Sequence, residues 1–218
     1  MKSMTDHSSR AYRKRKRAQA EAETRRRITE AAVELHGTVG PANSTVTQVA
    51  KLAGVSRMTV YNHFPTEVDL FVACSSHWAA QNPFPDPSSW TDPDPAERLG
   101  TALEELYGWY GRKQQMLGNV LRDTPIVPAL AEVMTGLWTG FMDAAVRALE
   151  EGWPSSEEEP LTLRGMLRLA VDFDTWRTLT GAGLDERAAA HVMRRAVTCA
   201  ARGGQETPYH RRKERSNA

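Results

Sequence analysis

Hydrophobic residues recur at helical spacing along most of this chain, and no stretch shows the alternation of a half-buried strand. The clearest case is residues 45–64, where Val46, Val49, Ala50 and Ala53 fall on one stripe. Similar spacing predicts helices over residues 21–36, 66–81, 95–111, 114–122, 128–151, 161–180 and 185–202. The pattern therefore predicts an all-α protein with about nine helices.

Residues 45–64 hold two short helices separated by a glycine turn. Thr45 and Gln48 have the spacing of a capping box, in which each side chain bonds the other residue's backbone amide. Gly54 suits a turn that needs positive φ, and Ser56 is a good N-cap for the second helix. This layout is typical of a helix-turn-helix that lays its second helix in the DNA major groove. An ordinary helical hairpin with a polar surface is the alternative.

The outward side chains of this segment are the candidate DNA contacts. They include hydroxyls, an amide, a phenol and a guanidinium, which can reach phosphates or base edges. We expect Arg57, Thr59 and Asn62 to face base edges. The residues expected mainly to hold phosphates are Thr45, Thr47, Ser56, Tyr61 and His63.

The distribution of charge agrees with a nucleic-acid partner for the first third of the chain. The net charge is +1, yet residues 1–80 hold 12 Lys and Arg against 7 Asp and Glu, and the remainder holds 16 against 20. The densest basic run is residues 13–17, and residues 25–27 follow it. These runs indicate either a flexible arm along the phosphate backbone or minor groove, or a solvated tail.

Residues 25–71 resemble the TetR family of bacterial transcriptional regulators. The family's pattern is A-A-x-E-L, a loop, and then T-V-x-x-[IV]-A-x-x-A-G-V-S-x-x-T-[LV]-Y-x-H-F. This chain has A-A-V-E-L at 31–35 and T-V-T-Q-V-A-K-L-A-G-V-S-R-M-T-V-Y-N-H-F at 45–64. Two residues depart from the pattern. His36 replaces a phenylalanine that packs the DNA-binding core, and Glu67 replaces a lysine that holds a phosphate.

The resemblance implies a domain order. A disordered basic arm at 1–20 precedes a three-helix helix-turn-helix DNA-binding domain at 21–66. A helical ligand-binding and dimerisation domain follows at 67–203, and a disordered tail at 204–218. Family members dimerise through their last two helices, which here are 161–180, apolar around most of its circumference, and 185–202, rich in small residues.

The resemblance also implies a small-molecule site among the middle helices, although aromatic residues there are more often plain core. Large aromatic and methionine side chains favour an apolar or aromatic ligand. The candidates are Tyr107, Tyr110, Met134, Trp138, Phe141, Phe173 and Trp176.

Together these features predict a cytoplasmic homodimer that binds a palindromic DNA operator, represses transcription and is released by a small effector. The alternative is a helical small-molecule-binding or interaction protein with a weakened DNA-binding motif, and Glu67 favours it. We expect no enzyme activity, catalytic residues, cofactor or metal site, because the histidines are scattered and Cys74 and Cys199 lack metal-ligand spacing. We expect no membrane span, since no apolar run is long enough.

Overall fold

The computed structural model describes residues 4–153 and 160–201, and these form helices and no strands. The helices are α1 (Met4–Thr38), α2 (Val46–Ala53), α3 (Arg57–His63), α4 (Glu67–Gln81), α5 (Pro95–Asp123), α6 (Pro128–Met134), α7 (Gly140–Glu150), α8 (Pro160–Val171), α9 (Phe173–Gly181) and α10 (Glu186–Ala201). A π-helical segment, Thr135–Thr139, joins α6 to α7 without a gap. Counting α6, this segment and α7 as one, the described residues contain nine helices, and the all-α prediction is confirmed.

The chain forms two compact units. The first contains Phe84 and the residues before it, together with Lys113–Thr139. The second contains Pro85–Arg112 and the described residues from Gly140 onward. The boundary between a DNA-binding domain ending at residue 66 and a ligand-binding and dimerisation domain beginning at residue 67 stays a prediction.

The core of the first unit is built where α1 packs against α2 and α4. Its buried residues include Ile28, Ala32, Val49, Val60 and Phe64, each at most 2% exposed. Ala50 is also buried, and its small side chain allows helices to approach closely. The apolar stripe predicted in residues 45–64 is therefore the face that packs α2 against α1.

Helix α1 extends further than the sequence pattern predicts. Instead of a disordered arm over residues 1–20, the structure has a helix from Met4. Residues 10–27 contain neither glycine nor proline and are rich in Ala, Arg, Lys, Glu and Gln, which favour helices. The side chains of residues 12–23 are exposed.

Helix α5 is one helix where two were predicted. The sequence suggests an interruption near Gly111, but α5 runs without a break from Pro95 to Asp123. A glycine inside a helix costs only about 1 kcal/mol. Tyr107 and Tyr110 before it, and Leu117 after it, are buried, and such burial outweighs that cost.

The predicted helix over residues 161–180 is broken at Asp172 into α8 and α9. The Asp172 side chain accepts a hydrogen bond from the Asp174 amide and so caps the start of α9. The hydroxyls of Tyr107 and Tyr110 donate to the carbonyls of Ala170 and Val171, at 2.7 and 2.6 Å. These carbonyls at the end of α8 have no intrahelical partner, so the tyrosines stabilise the break.

The predicted tail at 204–218 lies outside the described residues. Within the described part of the chain, no helix combines the length and apolarity that crossing a bilayer requires.

Candidate DNA-binding surface and internal cavity

Helix α2 begins with the capping box that the sequence predicts. The Thr45 side chain accepts from the Gln48 amide at 3.2 Å, and the Gln48 side chain accepts from the Thr45 amide at 2.8 Å. Gly54 ends the helix in the left-handed region, with φ of 65°. Both ends of α2 are therefore set by local sequence. Thr45 and Thr47 are exposed, as a phosphate contact requires.

Helix α3 presents most of the remaining candidates to solvent. Ser56 caps it by accepting from the Thr59 amide, and its hydroxyl also bonds the Thr59 hydroxyl at 2.8 Å. Arg57, Tyr61 and Asn62 are exposed. Thr59 and His63 are half-buried. All eight candidates thus lie on α2, α3 or their caps.

Met58 is a further exposed residue on α3 that the sequence interpretation passed over. Its side chain is 66% exposed and lies four residues before Asn62, on the same side of the helix. An exposed apolar side chain on a recognition helix can contact the methyl group of thymine. Methionine is also common in protein cores, so the sequence alone does not mark Met58 as a candidate DNA contact. Its exposure in the structure does.

Two arginines of the second basic run hold the motif together. Arg25 donates to the His63 carbonyl at 2.6 Å and lies 4.1 Å from the centre of the Phe64 ring. Arg27 donates to the carbonyls of Ala53 and Gly54. Each arginine therefore satisfies carbonyls at the end of one motif helix, a role that basic composition alone does not reveal.

Arg26, the middle residue of that run, lies between Glu23 and Glu30 and is ion-paired to both, with nitrogen–oxygen distances of 2.6 Å. Residues 25–27 thus serve the structure of α1 and the motif, within the helix that the sequence predicts over residues 21–36.

The last turns of α5 hold the loop between α1 and α2. The Asn119 amide donates to the carbonyls of His36 and Gly37, at 3.1 and 2.9 Å. Asp123 accepts from the Ala42 amide at 3.0 Å. Gly40 has a φ of 90° and lies against Asp123. A Cβ added at Gly40 would sit 2.5 Å from an Asp123 oxygen. We call these contacts the α5 latch.

Asp123 is ionised in the latch although only 2% of it is exposed. The hydrogen bond from Arg122, at 2.7 Å, lowers the pKa of Asp123, and the Ala42 amide acts in the same direction. Burial opposes them but does not prevail. The latch therefore rests on a charge-assisted hydrogen bond, the stronger class.

A cavity of about 50 Å³ lies inside the first unit. Its walls are almost wholly apolar and come from α1, α4, α5, α6 and the π-helical segment. The lining side chains include Val33, Phe71, Trp78, Phe84, Met116, Leu130, Met134, Leu137 and Trp138. Met134 and Trp138 are the two predicted ligand residues found in this wall.

His36, Cys74 and Ser75 form the polar part of that wall, and the first two are in contact. The Cys74 sulfur lies 3.6 Å from Nδ1 of His36, and both side chains are buried. Burial lowers the pKa of His36 to about 4, although the charge of Asp123 acts in the opposite direction. Burial also raises the pKa of Cys74 to about 12. Both groups are therefore neutral near pH 7.

His36 packs where the resemblance expects phenylalanine. Its ring stacks on Phe71, with the ring centres 5.2 Å apart, and only 6% of the residue is exposed. A neutral imidazole thus occupies the aromatic position and stacks on Phe71. Glu67, the other departure, is exposed in the first turn of α4, where its charge suits the helix dipole.

Four other predicted ligand residues lie together in the second unit. Tyr107, Tyr110, Phe173 and Trp176 are buried, and Tyr110 has its ring centre 5.3 Å from that of Phe173 and 5.9 Å from that of Trp176. Since the tyrosine hydroxyls bond the end of α8, this cluster serves as packed core. Phe141, the seventh candidate, is half-buried at the start of α7.

Apolar side chains remain exposed on α8 and α10. Leu161 is 83% exposed and Leu169 is 49% exposed, and Gly165 lies between them at four-residue spacing. On α10, Val192 is 42% exposed and Cys199 is also exposed. We call these five residues the α8/α10 face.

Comparison with known proteins relates the motif to one family. The sequence model described as "Bacterial regulatory proteins, tetR family" matches residues 28–74, which include α2, α3 and the first half of α4. No curated protein matches the sequence.

Solved structures share the fold over most of the chain. A TetR-like transcriptional regulator from Rhodococcus sp. RHA1 is 17% identical, with 83% of this chain and 96% of that chain covered and a TM-score of 0.59. NalD, the secondary repressor of the MexAB-OprM multidrug efflux pump in Pseudomonas aeruginosa, is 23% identical, with coverages of 81% and 95% and a TM-score of 0.55. The multidrug binding protein EbrR, complexed with imidazole, is 26% identical, with coverages of 78% and 88% and a TM-score of 0.53.

Proposed function

We propose that this chain is a repressor of the TetR family of bacterial regulatory proteins, whose sequence model matches residues 28–74. It binds a palindromic DNA operator as a homodimer and is released by a small ligand. Such a protein acts in the cytoplasm, where the chromosome lies. The observation that carries the proposal is the exposed face of α3, with Arg57, Tyr61 and Asn62 on a helix fixed at both ends.

The rigidity of the motif supports DNA recognition. A helix of seven residues is unstable by itself, so its position must come from its surroundings. Here the Ser56 cap fixes its start, and Arg25 holds the carbonyl of His63 at its end. A recognition helix must hold its side chains in register with base edges, and this arrangement provides that order.

The α8/α10 face supports the homodimer. One short recognition helix reads few base pairs, and helix-turn-helix proteins therefore bind two half-sites as dimers. Leu161 and Leu169, with the small Gly165 between them, give α8 an apolar stripe that a second copy would cover. Dimerisation through this face would remove that apolar surface from water.

The internal cavity supports release by a ligand that is apolar or aromatic. Its walls include Val33 of α1 and Phe71 and Trp78 of α4, the helices on either side of the motif. A ligand that enlarges the cavity would press on these helices, and it could shift one of them relative to the other. It would weaken DNA binding to the extent that it prefers the displaced arrangement.

The proposal is tested by gel shifts with an operator selected from a random DNA pool and with unrelated DNA. Asn62→Ala should lose about 1–3 kcal/mol on the operator and tolerate base changes at one position, as expected for a bidentate base contact. Tyr61→Ala should weaken binding to both DNAs about equally, because a phosphate contact carries no sequence information. Glu21→Ala, an exposed change on α1, is the control.

If both α3 variants bind the operator as tightly as the wild type, α3 is not the recognition helix. If the wild-type protein binds no duplex at all, the alternative of a small-molecule-binding protein with a weakened motif would replace the proposal. In that case the departure at Glu67 would be the first residue to revert, by Glu67→Lys.

A further inference from the structure

We propose that the internal cavity of the first unit takes an uncharged aromatic ligand bearing one hydroxyl, a phenol, and that His36 is the residue that recognises the hydroxyl. The inference rests on the proposed function for its regulatory meaning. Its evidence is the cavity wall itself, in which His36 and Cys74 form a polar pair and, with Ser75, are the polar lining residues on an otherwise apolar surface.

The composition of the wall favours a neutral ligand. The lining residues include no lysine, arginine, aspartate or glutamate. A carboxylate or ammonium group placed there would lose its hydration without gaining a charged partner, which costs far more than a neutral polar group. The wall therefore selects against ionised ligands of the same shape.

The hydrogen-bonding pair favours a hydroxyl over a group that only donates or only accepts. The Cys74 thiol lies within bonding distance of both His36 Nδ1, at 3.6 Å, and the Phe71 carbonyl, at 3.4 Å. If the thiol donates to His36, Nδ1 is an acceptor, and if it donates to Phe71, Nδ1 can carry the proton. A hydroxyl can donate or accept, so it suits either tautomer.

The aromatic walls favour a ring. Phe71, Trp78, Phe84 and Trp138 all line the cavity, and aromatic rings pack well against one another. The present volume of about 50 Å³ is smaller than the cavity of about 150 Å³ that holds benzene in a protein core. Ring entry therefore requires a wall to move, and the flexible side chains of the lining methionines make this feasible.

The test compares phenol, toluene and benzoate by titration calorimetry at pH 7, on the full-length protein without DNA. Toluene matches phenol in shape but cannot form the hydrogen bond, and benzoate carries a charge. An apolar cavity with no polar partner should prefer toluene about tenfold or more, because the buried hydroxyl would be unsatisfied. We expect wild-type protein to bind phenol at least as tightly as toluene, and benzoate at least tenfold more weakly than either.

Two variants assign the preference to a residue. His36→Phe keeps an aromatic ring but removes the nitrogen, so it should still bind toluene and bind phenol about tenfold more weakly than toluene. Toluene binding by this variant also shows that the cavity has formed. Cys74→Ala removes the competing thiol, so it should keep or strengthen the wild-type preference for phenol.

A wild-type preference for toluene or benzoate would overturn the inference. So would failure of the protein to bind either uncharged ring, or a phenol preference that survives His36→Phe. The comparison within wild-type protein holds even if a variant does not fold. If phenol binds as expected but leaves operator binding unchanged, the ligand class stands and the release step of the proposed function fails. If the protein binds the operator but neither phenol nor toluene, the DNA-binding part of the proposed function stands and this inference fails.

Discussion

Replacing His36 by phenylalanine should make the stability of the protein less sensitive to acid. Burial holds the pKa of His36 at about 4 in the folded protein, against 6.5 for an ordinary histidine. The unfolded chain therefore takes up a proton below pH 6.5 that the folded chain does not accept until near pH 4. Stability attributable to neutral His36 is complete above pH 6.5 and falls as the pH drops toward 4.

The magnitude follows from that interval. Between pH 7 and pH 5, an unfolded histidine of pKa 6.5 gains about three quarters of a proton, whereas buried His36 gains almost none. At 1.36 kcal/mol for each pH unit below 6.5, the wild-type protein should lose about 2 kcal/mol of unfolding free energy that the His36→Phe variant keeps. The pKa of Asp123 is lowered, so its carboxylate stays ionised in both proteins between pH 7 and pH 5 and its own titration adds little to the difference.

Urea denaturation at pH 5 and pH 7 measures this difference. His191→Gln, a change of an exposed histidine on α10, shows whether any histidine substitution flattens the profile. If His36→Phe and wild-type protein lose the same stability between pH 7 and pH 5, His36 is not a neutral buried group. The account of the cavity as an uncharged site would then be wrong.

The α5 latch and the motif caps give three further predictions. Asp123→Asn should lower the free energy of unfolding by about 1.5–3 kcal/mol in urea denaturation, because it removes a buried charge-assisted acceptor, and a change no larger than that of the exposed Glu21→Gln would contradict the latch. Gly40→Ala should destabilise by more than 1 kcal/mol, because it combines positive φ with a clash against Asp123. Gly118→Ala, with open space around its Cβ, should be neutral or stabilising by up to about 1 kcal/mol, and equal effects at both glycines would contradict the geometry. Thr45→Ala should cost about 1 kcal/mol of stability and weaken DNA binding, and unchanged values for both would argue against the cap.

The parts of the fold that sequence predicts are those fixed by neighbouring residues. The capping box of α2, the glycine turn at Gly54 and the Ser56 cap each depend on residues at most four positions apart. The same holds for the apolar stripe that places α2 against α1. Because these signals are local, the motif was predictable almost completely.

The parts that sequence does not predict depend on residues far apart in the chain. Nothing near Asp172 shows that Tyr107 and Tyr110 would satisfy the end of α8 and so stabilise a break there. Likewise, Asp123 reaches Ala42 across 81 positions. A pattern of apolar residues carries no information about such partners.

The same contrast between local and long-range information applies to the candidate sites. The candidate DNA-contact residues follow from the motif, whereas the ligand candidates were chosen as a class of large aromatic and methionine side chains. The structure separates that class, placing Met134 and Trp138 at the cavity and the tyrosines in packed core. His36 and Cys74 become a pair only in the folded chain, since they are 38 positions apart.

The most direct test of operator binding by a homodimer has two steps. Bound duplexes are selected from a random DNA pool, and the protein-to-DNA ratio is then measured on the selected sequence. We expect the selected duplexes to share a palindromic sequence with two half-sites. Each duplex should bind two protein chains, with an affinity that falls steeply as the salt concentration rises. No enriched sequence, or an enriched sequence without two-fold symmetry bound by a single chain, would contradict operator binding by a homodimer.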